Sequence, residues 1–97
     1  MPLAPKQRSF LRSLAHPLRP TVRVGKAKAT PRVIAEANRT LDAHELIKVK
    51  LDLEEGAERR SLAATLAERT RSELVTVVGK IAVLYRQSAD EPKIKLP

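Results

Sequence analysis

The first apolar positions in the chain recur at helical spacing. Over residues 5–18, PKQRSFLRSLAHPL, the side chains of Phe10, Leu11, Leu14 and Leu18 fall within one arc at about 100° per residue, while Arg8 and Arg12 lie together on another face. The pattern predicts a helix with one packed face, Phe10 included, and one basic face. Pro17 and Pro20 end it, and Pro20 biases Arg19 toward extended backbone. Thr21-Val22-Arg23-Val24 then alternates polar and apolar residues, as a half-buried strand does, and Gly25 marks its end. Thr30 reads as an N-cap with Pro31 at the first helical position, so a second helix follows to about Ala43, with Val33, Ile34, Ala37 and Leu41 on its inner arc.

Ile47, Val49, Leu51 and Leu53 alternate with Lys48, Lys50 and Asp52, which predicts a strand with one wet face. A break at Glu54-Glu55-Gly56 precedes a third helix over 57–71, apolar at Leu62, Ala63, Leu66, Ala67 and Thr70. ELVTVVG (73–79) and KIAVLYR (80–86) are two apolar strands parted at Gly79, most simply a hairpin, and 88–97 is a proline-bracketed extended tail. The order α-β-α-β-α-β-β is an α+β arrangement with a mixed sheet in a single domain over 1–97.

Charge changes this picture more than composition does. Residues 1–35 hold eight basic side chains and no acid, whereas residues 36–97 hold eleven of each sign, so the whole net charge of +8 lies in the first third. These cations are interleaved with Phe10, Leu11, Leu14, Leu18, Val22 and Val24, so they belong to folded structure rather than to a tail. A one-signed surface attracts polyanions, and nucleic acid is the expected partner. The chain has no cysteine, which excludes disulfides and thiolate metal sites, and no apolar run long enough for a membrane span or a signal core. A cytoplasmic monomer is expected, with no cofactor, metal or small-molecule substrate.

The chemistry concentrates in TVRVGKAKATPR, residues 21–32. The N-terminus of the second helix presents unpaired N–H donors and a positive dipole end, and Lys26 and Lys28 add two full charges beside it. This is a candidate phosphate site. Only Phe10 and Tyr85 are aromatic, so the stacking surface of base-reading RNA modules is missing and recognition should follow backbone and shape. His16 and His44 are isolated and have no partner for catalysis; His44, at the end of the second helix, reads as structural. Glu54, Glu55 and Glu58 read as a solvated helix entry rather than a metal cluster. The protein is not expected to be an enzyme.

FLRSLAH, VRVGKAKAT, HELIKVK, VGKIAVLYR and PKIKLP together resemble the YhbY-like proteins, bacterial single-domain members of the CRM (chloroplast RNA splicing and ribosome maturation) domain family. The resemblance covers nearly the whole chain. It implies a two-layer fold similar to the C-terminal domain of translation initiation factor three, with helices on one side of a four-stranded mixed sheet. It also implies RNA binding through a GxxG-like loop comparable with that of KH domains, and association with precursors of the large ribosomal subunit. The family pattern Gly-Lys-x-Gly-x-Thr is met at Gly25, Lys26 and Thr30, but Lys28 stands at the second glycine position, where a positive φ favours glycine.

The RNA-binding set expected from both lines is Gly25, Lys26, Ala27, Lys28, Thr30 and Arg32 at the loop, with Arg8, Arg12 and Arg23 extending the contact; Lys48 and Lys50 are secondary candidates. The expected function is to bind large-subunit ribosomal RNA or its precursor particles and assist assembly. The rival is an adaptor that uses the same basic face to bind an acidic protein surface.

Overall fold

A computed structural model describes residues 2–97. Its elements are α1 (Pro5–Ala15), β1 (Pro20–Val24), α2 (Pro31–His44), β2 (Leu46–Leu51), α3 (Gly56–Thr70), β3 (Glu73–Val78) and β4 (Ile81–Tyr85). The order α-β-α-β-α-β-β is the one the pattern predicts. The strands form a mixed sheet in the order β1-β2-β4-β3. β1 and β2 are parallel and joined through α2, because a parallel pair needs a crossover, while β4 runs antiparallel to both of its neighbours. The tight β3–β4 turn uses Gly79 at φ +57°, a conformation open to glycine without strain.

Alternation along β2 decides the layering. Ile47, Val49 and Leu51 join Val22, Val24 and the inner faces of α2 and α3 in the larger core. Leu46 points the other way and packs with Leu11, Ala15, Val75, Val83 and Tyr85 beneath α1, where Ile94 and Leu96 of the tail add cover. Helices on one side of the sheet therefore describes α2 and α3 only. α1 lies on the opposite face, since Leu46, Val83 and Tyr85 make one end of that face apolar and require burial.

The stripe on α1 needs a second correction. Leu11 and Ala15 are buried, but Phe10, Leu14 and Leu18 are 36%, 39% and 40% exposed. The sheet takes only the Leu11–Ala15 edge of the predicted arc. The helix also ends at Ala15 rather than at 18, where the Leu18 N–H donates to the Ala15 carbonyl and turns the chain toward β1.

Glu45 anchors the first part of the tail. Glu45, directly after α2, has φ +64° and is 1% exposed. Its carboxylate accepts the backbone N–H groups of Ser88, Lys93 and Ile94 at 2.6, 2.8 and 2.9 Å. Burial alone would raise its pKa, but these three donors and the Lys93 ammonium outweigh that and hold it below the ordinary value of 4.5. At the far end of the tail the Gln7 amide donates to the Pro97 carbonyl.

Candidate nucleic-acid interface

The loop after β1 is built by two short backbone bonds. The Lys28 N–H donates to the Gly25 carbonyl and the Thr30 N–H to the Lys28 carbonyl, both at 2.9 Å. Between them Lys28 adopts φ +61°, so the second-glycine position keeps its left-handed backbone even with a lysine there. Gly25 is not left-handed, and a Cβ built on it would meet nothing within 4 Å. Its missing side chain leaves that space open. Thr30 is the N-cap the pattern predicts: its hydroxyl oxygen accepts the Val33 N–H at 3.2 Å, with Pro31 opening α2.

α3 braces the loop from below. The Arg69 guanidinium donates to the Ala29 carbonyl at 3.2 Å, and the Lys28 ammonium stands 3.8 Å from the Glu58 carboxylate. Nothing local in the loop's sequence signals either contact, because both partners lie about thirty to forty residues further along the chain. Lys26 and Arg32 are exposed and make no ion pair among the described residues. The loop thus offers two uncommitted cations, one half-committed lysine and the positive end of α2.

A second group of cations lies on the α1 side of the sheet. Arg23 and Lys50 are direct neighbours in the parallel register, and Arg23 Nε is 3.3 Å from the Asp52 carboxylate. Arg12, His16 and Lys48 border a groove floored by Ile81 and Val83. Here the Lys48 ammonium donates to the His16 carbonyl at 3.0 Å and so satisfies a group left free where α1 ends. Arg23 precedes Gly25 by two residues and connects this face to the loop.

Arg8 does not join either group. Its Nη1 donates to the Leu74 and Val75 carbonyls at 2.5 and 2.8 Å, where the pairing of β3 with β4 shifts register. The expectation of a free basic contact is corrected here: bulged carbonyls on an edge strand need donors, and Arg8 is the nearest. Phe10 is partly exposed instead of packed, and Tyr85 is buried. His44 is exposed at the end of α2. Glu54 and Glu58 turn to separate lysines, Lys80 and Lys28, and among the described residues no group of three His, Cys, Asp or Glu side chains could hold a metal ion. No helix there is long and apolar enough to cross a membrane.

A family model described as the CRS1 / YhbY (CRM) domain matches residues 3–86. The chain belongs to this family. Curated relatives agree with it along their length. Probable RNA-binding protein PA4753 of Pseudomonas aeruginosa is 42% identical over 88 residues, covering 91% of this chain and 85% of that protein. Probable RNA-binding protein YqeI of Bacillus subtilis is 38% identical over 95 residues, covering 98% and 99%. The solution structure of the Staphylococcus aureus hypothetical protein SAV1595 superposes with a TM-score of 0.88 at 42% identity, over 99% of this chain and all of that one. The CRM match includes the loop, the Arg8 tie and Glu45, and it stops at Arg86, before the tail that Glu45 holds.

Proposed function

We propose that this CRM domain binds RNA without catalysis, that its target is large-subunit ribosomal RNA or its precursor particles, and that it assists ribosome assembly. The observation that carries the reading is the loop geometry: Lys28 in a left-handed turn, a capped helix N-terminus behind it, and Lys26 and Arg32 free to meet phosphate. The N–H groups of Lys26, Ala27 and Arg32 are not donated within the described chain, so backbone and side chain converge on one small region. Phosphate held there is continuous with Arg23 and through it with Lys50 on the sheet face; Lys48 follows two residues away on the same face, with Arg12 of α1 beside it. The RNA-binding names of the relatives support the same partner.

Recognition should be of backbone and shape. Tyr85 is buried and Phe10 is one partly exposed ring, which leaves no platform for successive bases. Phosphate contacts position a protein on RNA but carry little sequence information.

The test is a titration of large-subunit ribosomal RNA fragments with wild type and a Lys26→Ala/Lys28→Ala variant over a salt series, with circular dichroism to establish folding. Wild type should lose affinity with salt at a log–log slope of about −0.7 per phosphate neutralised on single strands. The variant should bind more weakly with a slope shallower by about one to two such increments. An unchanged slope would remove the loop from the interface, and no binding by wild type would overturn the RNA reading.

A further inference from the structure

The polyanion-facing surfaces leave one feature without a use. Phe10 and Leu14 are one helical turn apart on α1, Leu18 follows just beyond its end, and all three are more than a third exposed. Single exposed leucines are ordinary, but an aligned set beside a cavity marks a contact surface. The cavity is there: a groove of about 460 Å³ runs between α1, the end of α2, the start of β2 and the tail, walled by Leu14, Leu18, Leu46 and Ile94 and edged by Arg19 and His44.

The wall chemistry selects among occupants. A nucleobase would want stacking planes on its faces and several polar groups for its edge; the floor and walls here are aliphatic, and the only planar groups in the lining among the described residues, Arg19 and His44, stand at the rim. Aliphatic side chains presented from a helix at i, i+3, i+4 and i+7 fit such a slot. Arg19 lines the groove, is exposed and pairs with no acid among the described residues. Lys93, next in the chain to the lining residue Ile94, places its ammonium on the Ala43 carbonyl beside His44, and the nearby acids are committed: Glu45 to the tail and Asp42 to Arg86 at 2.7 Å. We propose that this groove docks an amphipathic helical segment of a partner protein, with leucine-like side chains in the slot and acidic residues against Arg19, His44 and Lys93. The proposal does not rest on the RNA reading, since it uses none of the loop residues.

The experiment is a titration of the isotope-labelled full chain, followed by amide and methyl chemical shifts, with a synthetic helical peptide carrying leucines at i, i+3, i+4 and i+7 flanked by glutamates. Saturable shifts should gather at Leu14, Leu18, His44 and Ile94. A peptide with lysine in place of every glutamate should bind roughly tenfold more weakly or worse. Leu14→Ser and Arg19→Glu lie outside the two buried cores, so both variants should stay folded by circular dichroism, Leu14→Ser melting somewhat lower, and each should weaken the glutamate peptide roughly tenfold. Shifts absent at millimolar peptide, or equal for the two peptides, would overturn the proposal. So would concentration-dependent self-association of the free chain that Leu14→Ser abolishes, which would make a second copy the occupant, or RNA-induced shifts centred on the same groove.

Discussion

Lys28 shows how one backbone angle links stability to binding. At φ +61° its Cβ meets steric resistance that glycine escapes, so Lys28→Gly should stabilise the fold by about 1 kcal/mol. That gain should read as a melting temperature higher by roughly 4–8 °C for a domain of this size. The same change deletes a charge beside the helix N-terminus, so RNA affinity should fall while stability rises. Tighter RNA binding by the glycine variant would mean that backbone approach, not the lysine charge, governs the contact. Tyr85 offers a second test at this scale. Its hydroxyl is buried without a hydrogen-bond partner among the described residues, and burial, with the negative charge of Glu45 behind it, pushes the phenol pKa up. Tyr85→Phe should therefore be neutral or stabilising by up to about 1 kcal/mol in chemical denaturation, because it removes a desolvated group that gains nothing in return.

Among the elements, α1 is the one whose attachment is most specific. Two buried apolar residues, Leu11 and Ala15, seat it on the sheet, and Arg8 adds two hydrogen bonds to carbonyls of β3. Arg8→Met keeps the aliphatic stem and loses both bonds, so it should cost about 1–3 kcal/mol in urea unfolding, with the carbonyls of Leu74 and Val75 left without their donor. Its effect on the salt slope of RNA binding should be nil, in contrast to Lys26→Ala. At the start of α2, Thr30→Ala removes the cap from Val33 and should cost about 1 kcal/mol. RNA affinity should drop with it, since fraying of this turn would blur the array of donors that the loop presents.

At the scale of the whole molecule, Glu45 couples the tail to the domain. Its folded pKa lies below the unfolded value near 4.5, so its contribution is fully present above that value and is lost as pH falls through the folded pKa, below the ordinary carboxylate range. Hydrogen exchange at the Ser88, Lys93 and Ile94 amides should accelerate on that acid limb ahead of the sheet amides. Glu45→Gln should remove this pH dependence and loosen the tail at neutral pH, because its side-chain amide can still accept from Lys93 and Ile94 but sets an N–H donor against that of Ser88. With Ile94 displaced, the apolar groove beside α1 would lose one wall, so peptide docking should weaken in the same variant.

Element order, the Thr30 cap and the crowding of cations before Glu36 were legible in the chain because each depends on neighbours a few residues apart: period, capping chemistry and local charge. Family membership was legible for the same reason, in short runs such as HELIKVK and VGKIAVLYR. Which face a residue meets was not. Arg8 and Arg12 share a helical face by spacing, yet the first is bound to β3 and the second is open, because the register shift in β3 leaves carbonyls beneath only one of them. Phe10 and Leu14 carry the same apolar signal as Leu11, and the sheet has room for only one edge of that stripe. Glu45 reads as one more acid in a charged stretch until the tail returns from more than forty residues away to donate three N–H groups to it. Local periodicity determined the elements. Long-range packing decided which side chains hold the fold and which remain free for a partner, because commitment of a charge or an apolar surface depends on what the rest of the chain brings against it.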